Sequence, residues 1–179
     1  MKKIFITALT IFSLSVSAQE IKWMSLEKAV EAQKTTPKKI FIDAYTIWCG
    51  PCKMLDKNTF RNKDVATYVN ENYYAVKFNA EGNETIKFQD KTFSNPDFNP
   101  NTSGRNSAHQ LSSYFGIRAY PTMLFLDEQA NFIGPLQGYK TPQQLELFLK
   151  LFKTDDYKKI KNQEDFTEYT SNFQYKFIK

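Results

Sequence analysis

Cys49 and Cys52 are the only cysteines in the chain, and they lie within Trp48-Cys49-Gly50-Pro51-Cys52, shortly after the apolar run Lys39-Ile40-Phe41-Ile42-Asp43-Ala44-Tyr45. With two residues between them, the sulfurs can bond without moving the backbone far. A helix beginning at Cys49 aims its unpaired N–H groups at the first sulfur. A bridge over so short a loop removes little entropy from the unfolded chain, so the pair suits exchange better than stapling. Structural zinc is disfavoured by ligand count: a closed site needs four donors, and the only other soft one, His109, stands sixty positions away. The chain around the pair therefore has to supply a strand, a tight reactive turn and a helix, in that order.

Lys2 and Lys3, the apolar residues 4–14 and Ser15-Val16-Ser17-Ala18 form the pattern of an export signal. Residues 1–18 are expected to be removed, leaving a product that begins near Gln19 or Glu20. The apolar run is too short to cross a bilayer, which takes about 20 such residues, and no later stretch comes close. The expected product is soluble, monomeric and exported, with the bacterial periplasm as its destination. Taking those eighteen residues from the 179 leaves 161, enough for one domain with its own core. Losing Lys2 and Lys3 lowers the net charge from +5 to +3, and the remaining lysines are scattered among acids, so nucleic acid is not implied. The many aromatic residues fall mostly at strand and helix positions, which points to core packing.

Ile21-Lys22-Trp23 can form a short strand, and Ser25 offers an N-cap to a helix with Leu26, Ala29, Val30 and Gln33 along one edge, ending before Thr36-Pro37. The run at 39–45 is apolar on both faces, as in a central strand covered on both sides. Asp43 is anomalous there, because a buried carboxylate is costly unless neutral, paired or put to use. Met54, Leu55 and Asn58 continue a helix from Cys52; Asn62 or Asp64 starts another through Val65, Tyr68 and Val69; residues 73–78 make the next strand. Residues 116–121 turn into a strand at 122–127, and four linking residues join it to 132–137 as an antiparallel hairpin. Thr141-Pro142 opens a helix with Leu145, Phe148, Leu149 and Phe152 on one side.

An apolar strand, Trp-Cys-Gly-Pro-Cys-Lys, a helix, a strand, then Gly116-Ile117-Arg118-Ala119-Tyr120-Pro121-Thr122, a hairpin followed by Gly138 and a last helix together resemble thioredoxin in order and spacing. The resemblance implies an α/β thioredoxin fold, a central mixed sheet flanked by helices, over residues 19–153. Two departures stand out. The 28 residues from Asn79 to Asn106 replace what is a short link in thioredoxin, an insertion of about 80–106 before the helix that precedes Pro121. In it Thr85-Ile86-Lys87-Phe88 can form a small strand, while residues 94–104, rich in Asn, Ser and Pro, read as a loop that is either functional or merely mobile. Residues 154–179 form a C-terminal extension, expected as one or two short amphipathic helices packed on the domain.

Thiol–disulfide exchange begins with a thiolate, so Cys49, at the helix start, is the expected nucleophile, exposed enough to reach a substrate disulfide. Cys52, one turn further in, is the expected resolving thiol. Pro51 restricts the loop, and Gly50 leaves room for a substrate backbone. The resemblance makes Trp48 the surface tryptophan beside the active site. It makes Asp43 a buried proton acceptor beneath Cys52, paired with Lys77 on the next strand, and Pro121 a cis-proline that turns the backbone of Tyr120 toward substrate. His109, the only histidine, is expected to face solvent or cap a helix. No cofactor beyond the Cys49–Cys52 couple and no metal are expected.

The leading expectation is an exported reductase of disulfides in protein substrates, kept reduced by a membrane thiol-electron transporter. An oxidant or isomerase, and a non-catalytic peptide-binding module of chaperone type, are the alternatives. A copper-delivery protein would want a histidine or several methionines near the cysteines, where only Met54 is close.

Overall fold

The computed structural model describes residues 20–178, so the expected signal at 1–18 lies outside the described residues. Five strands form one sheet in the order β1-β3-β2-β6-β7: β1 (Trp23–Met24), β3 (Tyr73–Asn79), β2 (Lys39–Tyr45), β6 (Thr122–Leu126) and β7 (Phe132–Gln137). β1 and β2 run parallel to β3, whereas β6 is antiparallel to β2 and to β7. The sheet is thus mixed, as expected, and β2 lies at its centre.

Alternation along β2 divides the core. Ile40, Ile42 and Ala44 face one layer with Val76, Phe78, Leu124 and Leu126, covered by Leu26 and Ala29 of α1 (Leu26–Thr35). Phe41 faces the other with Tyr73, Ala75, Met123 and Phe125, covered by Leu55, Val65, Val69, Leu145 and Leu149. Those last residues belong to α2 (Gly50–Leu55), α3 (Lys63–Asn72) and α5 (Pro142–Lys153). Asp43 shares the parity of Phe41 and therefore faces the α2 side. The caps follow the sequence: Ser25 accepts from Lys28 N, Asn62 from Asp64 N and Val65 N, and Thr141 forms a reciprocal capping box with Gln144.

The insertion is folded. β4 (Ile86–Phe88) and β5 (Lys91–Phe93) form a hairpin across Gln89 and Asp90, both at positive φ, the backbone of a type I′ turn. Only the first of these strands is legible in the sequence. Phe88 and Phe93 pack on Phe115 and Tyr114, next to the short helix α4 (Gln110–Tyr114). Buried Asn95 ties the neck of the insertion, donating to the carbonyls of Gly82 at 3.0 Å and Ser107 at 2.8 Å. His109 caps α4, and it does so from a fully buried position rather than from solvent. Its Nδ1 accepts from Leu111 N at 3.0 Å and its Nε2 donates to the Glu84 carbonyl at 2.7 Å, which fixes a neutral tautomer.

Beyond α5, a 3₁₀ turn (Asp156–Lys159) leads to α6 (Gln163–Asn172), and the chain then returns to the core. Phe177 is buried in the layer of α3 and α5. Glu146 of α5, fully buried, accepts from the backbone N–H groups of Lys176 and Phe177 at 2.9 and 2.8 Å and pairs with Lys150. No helix among the described residues is long and apolar enough to cross a membrane.

Removing residues 174–179 leaves the Glu146 carboxylate buried without its backbone donors and empties the slot of Phe177. The expected cost is about 3 kcal/mol in urea unfolding. A loss below about 0.5 kcal/mol, the range of ordinary surface changes, would mean that the last residues only drape over the surface.

Candidate active site

Cys49 ends the loop after β2 and caps α2, with Pro51 in the first helical turn. Its backbone N–H donates to the Thr46 carbonyl at 3.2 Å, and the N–H of Cys52 donates to Cys49 Sγ at 3.1 Å. The two sulfurs are bonded, with the Cα atoms 5.3 Å apart. The Cys49 sulfur is held by the Cys52 N–H and by its bond to Cys52. The residue is only 2% exposed, less than the 4% of Cys52, so the expectation of an exposed Cys49 does not hold for the oxidised form. Gly50 and Pro51 are the exposed members of the motif, and a Cβ at Gly50 would meet no atom within 4 Å.

Asp43 lies opposite Lys77 in the parallel register of β2 and β3, which brings its Oδ2 to 3.3 Å from Lys77 Nζ. Its Oδ1 is buried with no hydrogen-bond partner among the described residues. Burial pushes the carboxyl up to about 6; the Lys77 ammonium pulls it down, and the charge of Asp56 adds a smaller upward push. Lys77 also pairs with Asp56, and its ammonium lies 4.9 Å from the ring centroid of Trp23. The cation is thus shared between two carboxylates. Asp56 is absent from the sequence-derived site, although its position four residues after Cys52 puts it on the same helical face.

Trp48 is half-buried, and the insertion holds it. Its indole N–H donates to Glu81 Oε2 at 2.7 Å, and the same oxygen accepts from Asn106 N at 2.8 Å. The guanidinium carbon of Arg105 sits 4.5 Å from the Trp48 ring centroid, and Tyr120 meets the ring edge-on at 6.0 Å. The Tyr120–Pro121 bond is cis, and Gly138, at φ +80°, donates its N–H to the Pro121 carbonyl at 2.8 Å. Only glycine tolerates that backbone without penalty, which accounts for Gly138 after the hairpin. Trp48, Tyr120 and the insertion are thereby gathered beside the disulfide, while Asp43 and Lys77 lie within the sheet. Glu81 and Arg105 escape a reading of the sequence, because nothing local marks residues 33 and 57 positions beyond Trp48 as its neighbours.

Residues 26–153 match the thioredoxin-like domain family, and the chain belongs to that family. Compared with the curated proteins, it matches none. Among solved structures it is similar to a thioredoxin-fold protein from Helicobacter pylori, with a TM-score of 0.58 and 19% identity over 75% of this chain and 81% of that one. It is also similar to a candidate disulphide-isomerase from Bacteroides thetaiotaomicron, with a TM-score of 0.52 and 28% identity over 75% of this chain and 94% of that one. A third similar structure is an oxidoreductase named DsbH, with a TM-score of 0.52 and 13% identity over 83% and 93% of the two chains. With its Cys49–Cys52 pair, the protein falls among the thiol–disulfide oxidoreductases of the family, whose members act on disulfide substrates.

The raised affinity of Asp43 for a proton has a consequence for stability. Its folded value of about 6 exceeds the ordinary 3.8, so between those pH values the folded protein keeps a proton that the unfolded chain has released. Stability therefore falls as pH rises through that window, by up to roughly 3 kcal/mol. Asp43→Asn is expected to abolish this fall and to be the more stable protein at pH 7. Urea unfolding of both proteins from pH 4 to pH 7 checks it; an unchanged slope in the variant would assign the titration to another group.

Proposed function

We propose that the protein is an exported reductase of protein disulfides, cycling between the Cys49–Cys52 dithiol and disulfide with no other cofactor. The Cys49 thiolate attacks a substrate disulfide, forming a mixed disulfide and expelling one substrate thiolate. Cys52 gives its proton to the Asp43 carboxylate and attacks Cys49 Sγ; the Cys49–Cys52 bond forms and the second substrate thiolate leaves. Two electrons pass from the dithiol to the substrate, and the expelled thiolates take up protons from Asp43 and solvent. Lys77 tunes Asp43, and Trp48, Gly50, Pro51, Tyr120 and Pro121 receive the substrate.

The observation that carries this reading is the buried Asp43, with a pKa of about 6 on the sheet face that α2 covers, where an acceptor for the proton of Cys52 is needed. The reductive direction is supported by the Gly-Pro pair between the cysteines. With no histidine or other cation in the motif, the Cys49 thiolate is less stabilised and the couple more reducing. The basic, apolar and small-residue pattern of residues 1–18 supports export. Outside the cytosol such a couple has to be recharged, and a membrane thiol-electron transporter is the class of partner that would do it. The description of the Bacteroides neighbour favours one further reading, disulfide isomerisation. Reactivation of a scrambled substrate without net reduction would establish that reading instead.

Cys52→Ser is expected to accumulate mixed disulfides with substrate proteins on a non-reducing gel and Cys49→Ser none; equal trapping by the two variants would remove the assignment of roles. Equilibration with glutathione reads the direction. A potential near about −270 mV, that of thioredoxin, supports reduction, and one near about −120 mV would make the protein an oxidant.

A further inference from the structure

The active-site face combines exposed apolar groups with unpaired positive charge. Ile47 and Met54, at 53% and 52% exposure, flank the Cys49–Cys52 motif on either side. Lys53 is exposed one residue beyond Cys52, and Arg105 is exposed on the Trp48 ring. Neither cation has an ion pair or hydrogen bond among the described residues. Two acids of this part of the structure have other partners: Glu81 holds Trp48 and Asn106, and Asp56 pairs with Lys77. The guanidinium of Arg105 lies near the indole ring whose N–H Glu81 holds, and with no acceptor among the described residues its five N–H donors stay available in a planar fork. Between Ile47 and the insertion runs a cavity of about 100 Å³, lined also by Glu81, Phe98, Thr102 and Asn106. The cavity continues the surface from Ile47 onto the inserted segment.

We propose that the insertion completes the substrate surface of the exchange site, and that Arg105 selects disulfides whose flanking segment carries an aspartate or glutamate. A substrate segment crossing Gly50 would lay its apolar side chains on Ile47, Trp48 and Tyr120, with a carboxylate close to its cysteine meeting the guanidinium of Arg105. An apolar centre rimmed by unpaired cations is complementary to such a segment and repels a basic one. This rests on the exchange activity of Cys49 and Cys52, whichever direction the reaction takes in the cell.

The test uses the reduced protein and three disulfide-bonded peptides identical except for Glu, Gln or Lys two residues from the cysteine. At low salt, kcat/KM is expected to be about fivefold higher for the Glu peptide than for the Gln peptide and lowest for the Lys peptide, with the preference shrinking at 0.5 M salt. In Arg105→Gln the Glu-to-Gln ratio falls toward one, in Arg105→Glu it inverts, and in Arg105→Lys it is partly kept. Because each ratio compares two peptides on the same protein, a general loss of activity does not imitate the effect. Equal rates for all three peptides with the unaltered protein, or an unchanged ratio in Arg105→Gln, would overturn the role of Arg105. Failure to exchange with any peptide would instead overturn the oxidoreductase reading, and this inference with it.

Discussion

Burying β2 on both faces obliges every polar group on it to find a partner within the protein, and for Asp43 that requirement is only half met. One carboxylate oxygen reaches Lys77 across the parallel register, and the other has no donor among the described residues. Burial raises the pKa of a carboxylate in that position while the Lys77 ammonium lowers it. The register of β2 and β3 therefore sets the acid–base chemistry, since a slip of one residue would turn Asp43 to the opposite layer and away from α2. Lys77 is itself divided between Asp43 and Asp56, and its ammonium also lies over the rings of Trp23 and Tyr45, so it offsets the buried charge without fully satisfying it.

The insertion occupies the opposite role in the architecture. Its hairpin half is structural and seals the α1 side of the sheet with Phe88 and Phe93. Its two ends reach Trp48, through Glu81 before the hairpin and through Arg105 and Asn106 after the polar loop. One inserted segment thus serves both the core and the active-site rim, and the hydrogen bonds of Asn95 at its neck hold the two halves in a fixed relation. The segment at 94–104, read from the sequence as a loop, has no regular secondary structure, yet it ends on the residues that hold the indole.

Elements whose cause is local were legible in the sequence. β2, the helix starts at Ser25 and Thr141 and the 122–137 hairpin each carry their signal within a few residues, whereas the cis bond before Pro121 follows from the resemblance to thioredoxin. β5 was missed because its turn is Gln89-Asp90 where glycine or asparagine is the usual mark of positive φ. Phe177 in the core and Glu146 beneath it could not be read, because their partners are about thirty residues apart and meet only after α6 reverses the chain. The site divides in the same way. Cys49 and Cys52 follow from their spacing and Asp43 from its anomaly in an apolar strand together with the resemblance to thioredoxin, whereas Asp56, Glu81 and Arg105 follow from packing alone.

The two tryptophans stand at the two ends of this arrangement, and neither is elsewhere in the molecule. Trp48 adjoins Cys49 and is bonded to the insertion, while Trp23 lies under the ammonium that neighbours Asp43. A disulfide quenches the excited state of an adjacent indole, and a charge close to an indole ring shifts its emission colour. A cation lies close to each ring, Arg105 at Trp48 and Lys77 at Trp23, while only Trp48 adjoins the disulfide, so a change of intensity on reduction is expected from Trp48. The state of the sulfurs can therefore be followed by light, without attaching a label.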